Sequence, residues 1–275
     1  MIKINGKEVA VEHFLDGTQR MTKVEMPNNE YADIVIDWHY QCDEELLTIY
    51  YLVNHMRANG FQGKYILEMP YTINGRMDRV KSHSEVFTLK WSCKLINDLK
   101  FDRVFILDPH SNVTPALLDN VVAGYPAKYI NEAIEKVGRD NLILYYPDAG
   151  AHKKYHELFP DMPFCYGKKD RDWNTGKIKG VIVENEMNLD LTGKTILMID
   201  DIIAYGGTMH YGANKLKELG VGKIYAYATH TELSVLDEQE GKLRKSLESG
   251  IVEQLFTTDS IFSGKHDKIT VMKIG

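Results

Sequence analysis

Cysteine is scarce, and its three copies, Cys42, Cys93 and Cys165, lie far apart in 275 residues with no Cys-x-x-Cys pair. That excludes a disulfide framework or a zinc knuckle and favours a reducing compartment, here the cytoplasm. No uncharged stretch approaches the roughly 18 residues of a membrane span, and the N-terminal MIKINGKEVAVEHF carries charge too often for the apolar core of a signal peptide. A soluble chain that starts as written, with no membrane partner, is expected. An excess of positive charge is lacking too: 33 basic against 39 acidic side chains give a net charge of −6. Nucleic acid, held mainly through its phosphates, is therefore not expected as a partner, although a local cationic site stays open. Low-complexity tracts, proline-rich linkers and short-period repeats are absent from the sequence.

What is present is a globular α/β pattern, with 44% hydrophobic and 26% charged residues over a length suited to two domains. Apolar, β-rich runs recur at 31–38, 64–70, 102–108, 141–148, 180–186, 194–201, 223–230 and 252–259, and KITVMKIG reads as a last strand. Between several of them lie helical periods. The clearest is 43–59, where Asp43 can cap the start, Leu46, Leu47, Tyr50, Val53 and Met56 line one face, and Gly60 sits at a left-handed C-cap position. Alternation of this kind implies mainly parallel sheets covered on both faces. Strands ending in Asp and turn residues recur in both halves, with a soft boundary near 140.

The most specific stretch is ILMIDDIIAYGGTM, 196–209. An apolar strand ends in Asp200 and Asp201, and Gly206, Gly207 and Thr208 open the next helix, where ligands bind in an open α/β sheet. Glycines let backbone N–H groups approach an anion, the helix start favours negative charge, and Thr208 can donate a hydroxyl. The aspartates can accept from sugar hydroxyls or hold a divalent cation. A tight strand-to-helix turn with two surface carboxylates would leave the same trace.

This stretch resembles the phosphoribosyl diphosphate motif of the type I phosphoribosyltransferase fold. Further motifs in order narrow the resemblance to the ribose-phosphate pyrophosphokinase family: FLDGT (14–18), CDEELLTIYYLV (42–53), MPYTINGRMDR (69–79), DPHS (108–111), PDAG (147–150), KDR (169–171), ATH (228–230) and TTDSI (257–261). The resemblance spans 14–261. It implies two tandem phosphoribosyltransferase-type domains, 1–140 on the ATP side and 141–275 on the sugar-phosphate side, with an active site in a cleft between them.

It also implies transfer of the β,γ-diphosphate of ATP to the anomeric hydroxyl of a ribose 5-phosphate-type acceptor, with Mg2+ as cofactor and AMP as product. His110 and Asp148 are expected at the ATP phosphates and magnesium, Asp200 and Asp201 at ribose and metal, and Tyr205, Gly206, Gly207 and Thr208 at the 5-phosphate. Lys169 and Arg171, in a charge-rich segment read as a mobile loop, are the expected catalytic cations, with His110 beside them. Arg76, Phe14 and Asp16 are expected at ATP, the last two from a neighbouring subunit, so that a homodimer or larger homo-oligomer is implied.

Departures from the family pattern sharpen one question. Ala204 and Tyr205 stand where the family has Asp-Thr, Met77 replaces Gln and Thr18 replaces Glu, and the chain closes at Gly275 before the family's usual C-terminal helix. A bulky aromatic at the cradle suggests an acceptor extended at the 5-side, such as ADP-ribose, beside the default ribose 5-phosphate. A phosphoribosyltransferase consuming the diphosphate, or a non-catalytic regulatory relative, would share part of the pattern.

Overall fold

The computed structural model describes residues 1–171 and 178–274, with the side chains of 169–171 and 178–180 outside the description. It divides into two compact units, Met1–Tyr125 and Pro126–Gly275.

The first unit contains β1 (Ile2–Ile4), β2 (Lys7–Glu8), β3 (Glu12–His13), β4 (Gln19–Arg20), β5 (Ile34–Trp38), α1 (Glu44–Ala58), β6 (Tyr65–Glu68), α2 (Thr88–Asp98), β7 (Arg103–Leu107), α3 (Val113–Leu117) and β8 (Val121–Gly124). Its main sheet runs β2-β1-β5-β6-β7-β8, and β3 and β4 form a separate hairpin. β5 to β8 pair in parallel, while β1 joins β5 antiparallel. Ile34, Ile36 and Trp38 on β5, Leu67 on β6, and Leu52, Met56, Leu89 and Ile96 on the helices share one core. Branched and aromatic residues suit the pleated centre of such a sheet.

The second unit contains α4 (Ala127–Val137), β9 (Leu142–Tyr146), α5 (Ala149–Tyr155), β10 (Phe164–Arg171), β11 (Ile178–Glu184), β12 (Thr195–Ile203), α6 (Gly207–Glu218), β13 (Lys223–Thr231), α7 (Lys242–Glu248), β14 (Leu255–Thr258) and β15 (Ile269–Met272). The sheet order is β11-β10-β9-β12-β13-β14-β15, in which β10 and β11 pair antiparallel and the other described pairings are parallel. Its core joins Tyr145, Ile196 and Met198 to Met209, Ala213, Leu216, Leu243 and Leu247. The division between the units falls at Tyr125–Pro126, and α4 packs against β13 within the second unit.

Two expectations are corrected. α1 buries Thr48, Ile49, Leu52, Val53 and Met56, leaving Leu47 and Tyr50 exposed. Apolar side chains surround this helix, so periodicity alone does not single out the face that meets the sheet. Asp43 makes no side-chain cap; its carboxylate accepts from Tyr40 Oη at 2.8 Å. Gly60 does take the left-handed conformation, with φ of 84°. The second correction concerns the segment read as a loop around 167–180. Gly167 to Arg171 and Ile178 to Gly180 belong to β10 and β11, whose antiparallel ladder supplies the backbone partners that no apolar period reveals.

The three cysteines are free, Cys42 exposed and the other two buried. Among the described residues no helix is long and apolar enough to cross a membrane.

Candidate active site

The cradle grows from the central strand of the second unit. β12 lies between β9 and β13 in parallel register, with Asp200 opposite Ala228, so its carboxyl end is fixed on both sides. Beyond it the chain turns through Ala204 and Tyr205 into α6. Gly206, at the cap position, has φ of 76°, and a Cβ built on it would lie 2.3 Å from Leu243 Cβ. Both facts demand glycine here, because a side chain would strain the backbone and collide with α7. A Cβ on Gly207 would meet nothing within 4 Å, so that glycine opens the space in front of the helix. The first amides of α6 have no intrahelical acceptor, and its first turn has no acidic side chain. Half-buried Thr208 stands among them. Free helix amides with no nearby carboxylate in that turn are the geometry that favours an anion. Leu243 N donates to Tyr205 O at 3.1 Å and pins the turn from behind, while the Tyr205 side chain is 48% exposed.

Three carboxylates collect beside it. Asp201 N donates to Asp200 Oδ1 at 3.0 Å. Burial, then the neighbouring Asp201 carboxylate, and more weakly Asp148, push the half-buried Asp200 carboxyl well above the usual aspartate range. Asp148, just beyond β9, caps α5 by accepting from Gly150 N at 2.9 Å and Ala151 N at 3.1 Å. Lys154, from the same helix, brings Nζ to 3.8 Å from Asp201 Oδ2, both side chains being largely buried. Such a cluster attracts cations and accepts from hydroxyls.

Lys169 and Arg171 stand on β10, with Lys169 opposite Val181 and Arg171 opposite Ile178; their side chains lie outside the described residues. Their strand is held close to β9, since a Cβ on Gly167 would meet Tyr145 Oη at 2.4 Å and Pro147 O at 2.5 Å.

In the first unit, β6 and β7 continue pairing past their ends, with Met69 N donating to Phe105 O at 2.9 Å and Leu107 N to Pro70 O at 3.0 Å. The segments that follow therefore leave the sheet side by side. A Cβ on Gly75 would lie 3.9 Å from His110 Cβ, which brings the approach to Arg76 against His110; both of these residues are exposed. Asp108, fully buried at φ of 48° just before Pro109, turns the chain sharply ahead of His110. Phe14 and Asp16 occupy the tip of the β3–β4 hairpin. Asp16 Oδ1 accepts from Thr18 N at 2.9 Å and Thr18 Oγ1 at 2.7 Å, and these bonds hold its carboxyl below the usual range. Phe14 is 54% exposed, with the Arg20 guanidinium 5.7 Å from its ring. The hairpin is moored to α1 by His13 and Gln19, both bonded to Glu44.

This sequence resembles ribose-phosphate pyrophosphokinases along nearly its whole length. It is 31% identical over 260 residues to the enzyme of Thermococcus kodakarensis, covering 92% of this chain and 86% of the relative. The chain belongs to the ribose-phosphate pyrophosphokinase family. It is also 24% identical to the enzyme of that name from Vibrio parahaemolyticus, over 97% of this chain and 84% of the relative. The phosphoribosyl transferase domain family matches residues 157–251, which contain the cradle. A crystal structure of phosphoribosylpyrophosphate synthetase from Mycobacterium smegmatis shares the fold, with TM-score 0.76 and 19% identity over 97% of this chain and 86% of that one. Enzymes of the family are ATP-dependent diphosphotransferases, and two tandem phosphoribosyltransferase-type domains are their architecture.

For this pyrophosphokinase family member, sequence reasoning missed Lys154, Leu243 and Asp108. Lys154 lies one helical turn past PDAG, and the Lys153–Lys154 pair on a helix opening at Asp148 was the available signal. Leu243 had none, because it meets the cradle only through the packing of α7. Asp108 lay within the quoted DPHS motif, but its left-handed backbone is invisible to pattern. Among the described residues no group of three or more His, Cys, Asp or Glu is arranged to hold a metal ion.

Proposed function

We propose that this chain transfers the β,γ-diphosphate of ATP to the anomeric hydroxyl of a ribose 5-phosphate-type acceptor. The acceptor oxygen forms a bond to the β-phosphorus, the bond to the bridging oxygen of the α-phosphate breaks, and AMP leaves with that oxygen while the hydroxyl proton passes to solvent. The cradle of Asp200 to Thr208 carries this reading: left-handed Gly206 and open Gly207 present helix amides to a 5-phosphate, with two aspartates one strand end away. Asp200 and Asp201 suit the ribose hydroxyls.

Among the described residues no three His, Cys, Asp or Glu side chains are arranged to hold a metal ion, so Mg2+ would be bound through one or two of the hard carboxylate oxygens of Asp148, Asp200 and Asp201 together with the substrate phosphates. When bound it neutralises diphosphate charge. His110 and Arg76 serve the ATP phosphates, and Lys169 and Arg171 the charge that develops on the transferring group. Phe14 and Asp16, on an exposed hairpin tip, suit an ATP pocket completed in a homodimer or larger homo-oligomer. Free thiols are compatible with a cytoplasmic enzyme.

Ribose 5-phosphate is the first acceptor, in keeping with the name of the relatives. A second, ADP-ribose, is favoured by one observation: Tyr205 exposes half its surface at the edge of the cradle. A phosphoribosyltransferase would leave the first unit, with Arg76 and His110 drawn to one edge, without a task. The test incubates the protein with ATP, Mg2+ and each acceptor and follows AMP and diphosphorylated sugar by mass spectrometry. AMP release with one acceptor is expected, and its loss by at least a thousandfold in Lys169→Ala/Arg171→Ala, with nucleotide affinity nearly kept. No AMP with either acceptor overturns the reading.

A further inference from the structure

Behind the cradle, α7 makes two close contacts with the turn: Leu243 N bonds Tyr205 O at 3.1 Å, and Gly206 packs on Leu243 Cβ. These contacts place the preceding residue, Lys242, next to the turn that is shaped to grip an anion. The other cations of α7 have partners. Arg244 is bound to Glu248 at 2.7 Å and to Leu236 O at 2.8 Å, and Lys245 to Gln239 O at 2.5 Å.

Lys242 is half-buried and forms no ion pair with any described residue. Its charge reaches the first turn of α6. His210, whose N donates to Gly206 O at 2.9 Å and whose Nδ1 lies 2.7 Å from Ser246 Oγ, is held below the usual histidine value by burial, then by Lys242 and Lys245. A lysine that has given up part of its hydration without gaining a carboxylate is poised for an anion from a ligand. The exposed Tyr205 ring adds a flat apolar surface on the same turn.

We infer that Lys242 binds an anionic group carried by the acceptor beyond its 5-phosphate, so that this enzyme discriminates in favour of riboses extended at the 5-position through a diphosphate. The inference rests on the diphosphotransferase reading of the cradle. A plain ribose 5-phosphate fills the helix amides and leaves Lys242 unused, whereas a 5-diphosphate brings a second phosphate to it.

The experiment measures kcat/KM for AMP release with ATP and Mg2+, using ADP-ribose and ribose 5-phosphate as acceptors, in the wild type, Lys242→Ala, Lys242→Met and Lys242→Arg. Lys242→Met keeps the aliphatic stem should the alanine variant not fold. The ratio of ADP-ribose to ribose 5-phosphate efficiency is expected to fall at least tenfold in the alanine and methionine variants, mainly through the KM for ADP-ribose, and to return within threefold of wild type in the arginine variant. An unchanged ratio in the neutral variants overturns the role of Lys242 while leaving the transfer reading intact. So does a wild type that uses ribose 5-phosphate and not ADP-ribose. AMP release with neither acceptor overturns the transfer reading, and this inference with it.

Discussion

In the second unit the cradle stands on strand ends locked into ladders on both sides, whereas in the first unit Arg76, His110, Phe14 and Asp16 stand on exposed segments beyond the sheet. The cradle of the second unit is thus largely shaped in advance: Gly206 is fixed against Leu243, and Asp200 is held in a carboxylate cluster that its own electrostatics oppose. The first unit offers charge and an aromatic ring on segments that face solvent. Fixed groups lower the cost of reaching the transition state, and mobile ones lose entropy on binding.

The sharpest way to break this comparison is Gly206→Ala beside Gly207→Ala. At Gly206 the left-handed backbone costs an alanine roughly 1–2 kcal/mol, and overpacking against Leu243 adds roughly 1–3 kcal/mol. Lower thermal stability and at least a hundredfold loss of kcat/KM are expected. Gly207→Ala, with open space around its Cβ, is expected to melt like the wild type and to raise the KM of the acceptor. Equal melting of the two variants would show that the turn is not preset.

Asp200→Asn tests whether the carboxylate cluster is strained. A carboxyl raised in the folded state binds its proton more tightly there than in the unfolded chain. Stability is therefore fully present below the ordinary aspartate range and is lost as pH rises through that range toward the folded value. The asparagine variant should accordingly melt a few degrees higher than wild type at pH 7, an advantage that shrinks as pH falls toward 4, and should lose most activity. A lower melting temperature at pH 7 would contradict the electrostatic account.

The smallest effect is expected on the open side. Arg76→Ala should raise the KM for ATP roughly tenfold, about 1.4 kcal/mol, with little change in melting, because the side chain is exposed. A destabilised variant would show that this segment is as firmly built as the cradle.

Much of the candidate site's local geometry was legible because it is contiguous. Asp200, Asp201, Gly206, Gly207 and Thr208 fall within one strand, turn and helix start, so hydrophobic run, carboxylates and glycines declare the local geometry without reference to anything distant. The parallel strands were legible for a similar reason, since burial on both faces makes them near-continuous apolar runs. The face of α1 was not, because Leu46, Leu47, Ile49, Tyr50, Leu52 and Val53 all offer apolar surface and only the sheet selects among them. Nor was β10, whose Lys168, Lys169, Asp170 and Arg171 look like a solvated turn and are strand only because β11 pairs with them.

By itself, then, the sequence determined the α/β class, the order of the motifs and the cradle with its two aspartates, since each depends on residues near one another along the chain. The tertiary structure alone decided that Leu243 fills the space behind Gly206, that Lys154 faces Asp201, that Lys242 has no ion-pair partner among the described residues, and that the charge of Asp148 bears on Asp200. Those relations join residues up to tens of positions apart, and only packing and backbone pairing bring them within reach.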